Sequence, residues 1–355
     1  MNRREFISTA AGVAALASTR VSWAQTVDAK VDWKKVRPAT LDRIAIMTLN
    51  FQSILKVPDT QDSPNRTLEL FDIGEMLADT YGVHKVEFQH YHFASVEPAY
   101  FRDLKAKLEK SRSRATQINL EFSGLNISAA QNRDRLLAID LTKMWIDHAV
   151  TLGAQRVMIN QGQPTQENKV HSIPTLKAMA DYGKSKNIIV SVETRGGGGG
   201  GRGRGGQGAQ GQSAQSPATA AAAGAPAPTA PAPAQGAAAP GGQGAPPAGP
   251  PLSGPDAWPL LAEIIKGAGA YSNVDLGGAA APNQEELHRC LKMMFPMTAN
   301  SLHTRVNTRW DLATTIRYLE GELGYKGLYT IEASNGHEGT RQIYDVVVAT
   351  LDAKT

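Results

Sequence analysis

The chain carries one cysteine in 355 residues. An internal disulfide is therefore excluded, and so is a structural zinc site built on thiolates. Cys290 lies in the amphipathic stretch His288-Arg289-Cys290-Leu291 and reads as a small buried hydrophobe. No Lys/Arg block is present, so the electrostatic footprint of a nucleic-acid binder is missing. No apolar run reaches the ~20 residues of a membrane span. No dinucleotide fingerprint follows the first strand-like segment. The glycine runs that begin near residue 196 lack the fixed spacing and following helix of a phosphate loop.

The first residues form a processing signal. Met1-Asn2-Arg3-Arg4-Glu5-Phe6-Ile7 is a twin-arginine opening, an Ala-rich apolar stretch runs from Ile7 to Ala17, and Ser22-Trp23-Ala24 is a small-x-small cleavage pattern. Together they predict a removable export signal over 1–24, the twin-arginine machinery as a partner, a periplasmic or secreted location and no stable membrane anchor. The formal charge is +4, and Arg3, Arg4, Arg20 and Glu5 account for about half of it. Residues 25–39 read as a linker.

From 196 to 255 the composition turns to Gly, Ala, Pro and Gln, with only Arg202 and Arg204 charged. A segment with almost no large apolar side chains cannot offset its ordering entropy by burial, so this stretch is expected to be a disordered insertion. Without signal and insertion roughly 270 residues remain, near the ~250 of a (β/α)8 barrel. They alternate strand-like segments (43–49, 85–90, 116–120, 156–160, 188–193, 271–275, 299–303, 327–332) with helix-like ones (65–80, 97–112, 131–152, 172–186, 256–268, 283–295, 309–321, 338–352). Strict alternation predicts a TIM barrel in two parts, 40–195 and 256–355, with the insertion following strand five. In 131–152 the spacing of Leu136, Ile139, Leu141, Met144, Ile146 and Ala149 predicts one inward stripe.

The last four apolar runs end in ionisable residues, in the order Glu193, Asp275, His303, Glu332. Such groups are costly at the end of a buried strand unless paired or bound to a cation. At the C-terminal mouth of a parallel barrel four consecutive strand ends converge. Three carboxylates and one imidazole suit one divalent ion (Mn, Co, Mg, Fe or Zn) in an open site. Taken singly, each residue fits a helix cap, an ion pair or a hydrogen-bonded surface group; the common position on consecutive strands favours the metal. Strand two ends in Gln89-His90-Tyr91-His92, where alternation places both histidines on one face, as hydroxyl contacts, as an additional acid/base beside the metal, or as loop residues capping a helix. Glu87 reads either as an inward support for a ligand or as a buried structural carboxylate. Asn160, Arg305 and Arg309 are further candidates for substrate contact, with Gln161, Asn335 and His337 behind them.

The order Glu193, Asp275, His303, Glu332 resembles the xylose isomerase-like barrel superfamily, the sugar phosphate isomerase/epimerase group. Val86-Glu87-Phe88, Leu152-Gly153-Ala154 and an arginine six residues after His303 add to the likeness. The resemblance implies a metal held by the four residues and a carbohydrate substrate. It implies that Glu193 and Glu332 are also catalytic, one removing a proton next to a carbonyl and the other returning it. It also implies a possible homo-oligomer. Two positions depart from the ketose 3-epimerase branch: Gly278 stands for its histidine and Gly199 for its second glutamate. The endonuclease branch is not indicated, because further zinc ligands and a basic DNA-binding face are missing. The sequence thus predicts a sugar isomerase or epimerase working through an enediolate. Two alternatives stay open: a lyase or dehydratase acting on a keto-sugar, inosose or 3-keto-glycoside, and a non-catalytic sugar-binding barrel.

Overall fold

The computed structural model describes residues 31–58, 63–122, 124–160, 162–194, 257–277 and 281–353. The export signal expected over 1–24 and the insertion expected over 196–255 lie outside the described residues, as do Gln161 and Gly278.

Among the described residues, eight strands alternate with helices: β1 (Ile44–Met47), β2 (Lys85–Gln89), β3 (Arg114–Leu120), β4 (Arg156–Asn160), β5 (Ile189–Thr194), β6 (Tyr271–Asp275), β7 (Thr298–Thr304) and β8 (Leu328–Ile331). Each pairs in parallel with the next, and β8 closes on β1 with Tyr329 opposite Ile44. The expected (β/α)8 TIM barrel is the fold. A short helix α1 (Pro38–Leu41) precedes β1. The helices between and after the strands are α2 (Ile73–Tyr81), α3 (Pro98–Lys110), α4 (Asn132–Leu152), α5 (Lys169–Ser185), α6 (Ala257–Ala268), α7 (Gln284–Met294), α8 (Leu312–Gly321) and α9 (Gly336–Asp352). Among the described residues no helix is long and apolar enough to cross a membrane.

The period-2 geometry of a strand sorts the side chains into two layers. Val86, Phe88, Ile118, Val190, Val192, Val274, Leu302, Tyr329 and Ile331 are buried in the hydrophobic core shared with the helices. Each such side chain stabilises the fold by about 1.5–3 kcal/mol through burial. The residues between them are polar and equally buried: Glu87, Gln117, Asn119, Ser191, Glu193, Asn273, Ser301, His303 and Thr330. Several touch across non-neighbouring strands, as Glu87 on β2 touches His303 on β7 and Asn273 on β6 touches Met158 on β4. Such contacts place these side chains in the barrel lumen, which is therefore largely polar, with Met158 among its lining.

Three expectations are corrected. The helix expected at 65–80 begins at Ile73, after a 3-10 turn at Leu70–Asp72. The residues before it form a loop pinned by Arg66, whose guanidinium donates to the carbonyls of Gln52 and Leu55. In α4 the inward stripe is Ala138, Thr142, Trp145, Ile146, Ala149 and Leu152. Leu136 and Met144 are instead 52% and 41% exposed. The phase is set by Trp145, which packs among Phe93, Phe101 and Phe122, while the small residues let the helix approach the barrel. Finally, His90 and His92 share no strand face, because His90–His92 is a 3-10 turn.

Candidate metal centre

Strand register brings the ionisable ends together. Asn160 lies opposite Glu193, and Asp275 opposite His303. The backbone N–H of Glu332 donates to Thr304 O at 3.1 Å, which fixes the end of β8 beside β7. His303 owes its height to an irregularity. The β6–β7 register slips between Ser272 and Val274, and in β7 Asn300 takes the left-handed conformation at φ 56. Asparagine tolerates that region better than most residues, and such bulges re-aim side chains near functional sites. Gly327 makes room for it, since a Cβ there would collide with the carbonyl of Asn300.

Glu193, His303 and Glu332 each offer one ligand atom, all lying within 4.8 Å of one another, and all three residues are buried. His303 Nδ1 is 3.2 Å from Glu193 Oε1 and 3.2 Å from Glu332 Oε2. Adjacent donors of an octahedral ion with bonds of about 2.1 Å stand about 3 Å apart, so this spacing fits a hard divalent cation. Burial alone pulls the His303 imidazole down, but the carboxylates of Glu87 and Glu193 outweigh it and push His303 up to about 10. The centre therefore attracts positive charge strongly.

Asp275 stands apart from this trio. Its Oδ1 accepts from the Gly277 N–H at 2.9 Å and faces Arg305 Nε at 3.3 Å. Arg305 also pairs with Glu332. The guanidinium thus bridges the two carboxylates that flank β7. Its seat depends on Gly277, where a Cβ would fall well inside contact distance of Arg305 Cδ. Gly277→Ala should cost about 1–3 kcal/mol by overpacking, and this cost should largely vanish in an Arg305→Ala background. Urea unfolding of the double-mutant cycle measures the coupling; additive costs would refute the contact.

The remaining candidates divide. Asn160 Oδ1 is buried with no hydrogen-bond partner among the described residues, next to Glu193 in the register. Arg309 is exposed and donates from Nε to Asn307 Oδ1 at 3.4 Å. His90 Nδ1 accepts from the Glu121 N–H at 3.1 Å, and its ring lies 3.7 Å from that of Phe122. His92 Nδ1 pairs with Thr48 Oγ1 at 2.8 Å, and the residue lines a cavity of about 400 Å³ together with Lys56, Glu69, Phe71 and Tyr100. His337 bonds the Tyr81 hydroxyl at 2.9 Å and stacks on its ring, a packing role between α9 and α2. Sequence reasoning did not draw Asn119 and Gln117 into the site. Their signal was visible as two amides at alternate positions of the strand, between Thr116, Ile118 and Leu120.

Burial lowers His90 to about 4 and His92 to about 3, the latter also repelled by His90. Both are bases whose folded value lies below the unfolded 6.5. The unfolded chain therefore binds protons first, and stability falls as pH drops from about 6.5 towards 4 and 3. The expected slope is about 1.4 kcal/mol per pH unit for each histidine, with no contribution above pH 7. Urea midpoints between pH 7.5 and 4.5 test this; a His90→Asn/His92→Asn double variant should show a flatter profile, and an unchanged slope would count against it.

The chain is thus a closed parallel barrel that carries carboxylates and an imidazole at the C-terminal ends of its strands. More particularly, the chain has the fold of xylose isomerase-like TIM barrel proteins and sugar epimerases. D-psicose 3-epimerase from Clostridium cellulolyticum H10, solved with D-tagatose, is 10% identical at a TM-score of 0.57, covering 88% of this chain and 97% of that one. A xylose isomerase-like TIM barrel protein from Mycobacterium smegmatis, solved in complex with magnesium, is 14% identical at a TM-score of 0.55, covering 89% and 98%. A probable 3-DHS dehydratase from Bacillus anthracis is 10% identical at a TM-score of 0.54, covering 88% and 100%. No protein-family profile and no curated protein matches the sequence.

Proposed function

We propose that the chain is a divalent-metal-dependent enzyme that isomerises or epimerises a sugar by proton transfer at a carbon next to a carbonyl. One observation carries this reading: two glutamates from the non-adjacent strands β5 and β8 meet at a single imidazole nitrogen, each 3.2 Å away. Glu193, His303 and Glu332 would hold the ion, with Asp275 beside them. A bound divalent ion supplies Lewis acidity that favours the enediolate form of a hydroxy-ketone. The chain supplies the rest. Glu193 and Glu332 both reach the same point beside His303 Nδ1, and one would serve as the base and the other as the acid at a carbon held there. Asn160 offers an acceptor for a sugar hydroxyl. Arg305 sits at the rim with its charge on Asp275 and Glu332.

That rim charge favours one second reading, a lyase or dehydratase, because a guanidinium beside the acid stabilises oxygen leaving as an anion. One experiment separates the two. The metal-loaded protein is incubated in D₂O with ketoses, inososes and 3-keto-glycosides and followed by NMR. Deuterium uptake with retention of all substituents identifies an isomerase or epimerase. Loss of a substituent identifies a lyase. Metal-dependent binding without exchange on any of the panel would sink both. The twin-arginine reading belongs to the same proposal; replacing Arg3 and Arg4 by lysine should move the protein from the periplasmic to the cytoplasmic fraction.

A further inference from the structure

Opposite the centre, on the far side of the lumen, stands a carboxylate that the proposed reaction does not use. Glu87 on β2 is fully buried. Its Oε1 is 2.6 Å from His303 Nε2 and accepts from Asn119 Nδ2 at 2.7 Å. Asn119 Oδ1 in turn accepts from Gln117 Nε2 at 2.9 Å. The other oxygen, Glu87 Oε2, has no hydrogen-bond partner among the described residues.

An ionised Glu87 sets the donors and acceptors along these contacts. A carboxylate only accepts, so His303 Nε2 carries its hydrogen toward Glu87. Asn119 must likewise present its amide nitrogen, which leaves its oxygen for Gln117. The ring is thus oriented with Nδ1 facing Glu193 and Glu332, 3.2 Å from each. With Nε2 committed to Glu87, Nδ1 is the ring nitrogen left for the centre.

We infer that Glu87, held by Asn119, is a positioning residue: it locks His303 as the Nε2–H tautomer so that Nδ1 is presented to a divalent cation shared with Glu193 and Glu332. Glu87 touches neither cation nor substrate and acts only through His303. A carboxylate behind a metal-binding imidazole orients the ring and raises its basicity, and such partners are worth 10–100-fold in metal affinity. This role rests on the metal-centre reading above and adds to it a residue two strands beyond the four that the strand ends supply.

The test uses the full chain, freed of metal by chelation and titrated with Mn²⁺ by calorimetry. Glu87→Gln keeps an acceptor without the charge and should weaken binding about tenfold; Glu87→Leu removes both and should weaken it about 100-fold. Asn119→Leu leaves Glu87 in place but unsupported and should fall between wild type and Glu87→Leu. The visible absorption of the Co²⁺ complex should change in Glu87→Leu, because the imidazole no longer keeps its angle. Unfolding midpoints of the metal-free variants serve as the control for packing. A Glu87→Leu protein that is less stable yet binds Mn²⁺ as wild type does, with the same Co²⁺ spectrum, assigns Glu87 a merely structural part and overturns the inference. If Glu87→Leu does not fold, equal Mn²⁺ affinity of wild type, Glu87→Gln and Asn119→Leu overturns it equally. Wild-type protein that binds no divalent ion removes the metal centre and this role together. Lost affinity in the variants without sugar turnover in wild type upholds the role and removes only the isomerase reading.

Discussion

Replacing Glu193 or Glu332 by glutamine should slow deuterium incorporation into the substrate by about 10³–10⁴-fold. Glutamine preserves length and an oxygen donor but cannot take up a proton near neutral pH. Positioned acid–base groups contribute ~10²–10⁴-fold, and here each glutamate is also asked to complete the electrostatics around the reacting carbon. The two variants differ from a metal-ligand deletion in a measurable way: an oxygen remains at each position, so metal affinity should fall far less than in His303→Ala. Because the two groups act in succession on one carbon, the double variant should be hardly slower than either single one. Exchange within tenfold of wild type in Glu193→Gln, measured by NMR in D₂O with metal saturating, would falsify the catalytic assignment of that residue.

The second large effect is expected on chelation. Removing the divalent ion should abolish sugar exchange to the limit of detection and lower the thermal midpoint. An ion present at a hundred times its dissociation constant stabilises the folded state by about 2.7 kcal/mol. For a domain of this size that amounts to a fall of roughly 5–10 °C. Three buried carboxylates lie near His303, namely Glu87, Glu193 and Glu332. With the ion gone, their charge must be balanced by a protonated His303 and by Arg305 alone. Restoring Mn²⁺ or Mg²⁺ should return both activity and midpoint. In His303→Ala the chelator should move the midpoint little. A wild-type midpoint indifferent to chelator at matched ionic strength would argue that no ion is bound.

How much of this was legible in the sequence follows from how local each signal is. Strand ends are local: a short run of Val, Ile and Leu closed by Glu193, Asp275, His303 or Glu332 can be read without knowing its neighbours. The barrel and the order of these residues around its mouth follow from alternation. The inward stripe of α4 was mis-phased because hydrophobicity favoured Leu136 and Met144, whereas the barrel selected Trp145 flanked by Ala138, Thr142 and Ala149. The histidines at 90 and 92 were read as strand, although the chain had already turned. The tie between Asp275 and Arg305 was invisible because it depends on the space left by Gly277. Glu87 reads as a possible support for a ligand, but that its partner is His303 was beyond reach for a different reason. The contact crosses the lumen between residues 216 positions apart in sequence, and no pattern within one strand encodes it.

That long separation also dictates a timetable. During synthesis the acid on the second strand emerges from the ribosome early and has no partner until the seventh strand follows. Nor can the cylinder shut before the final strand pairs with the first. A chain arrested ahead of residue 328 would expose half-made edges and would lack Glu332, so a metal centre built on these residues could assemble only once the eighth strand is available.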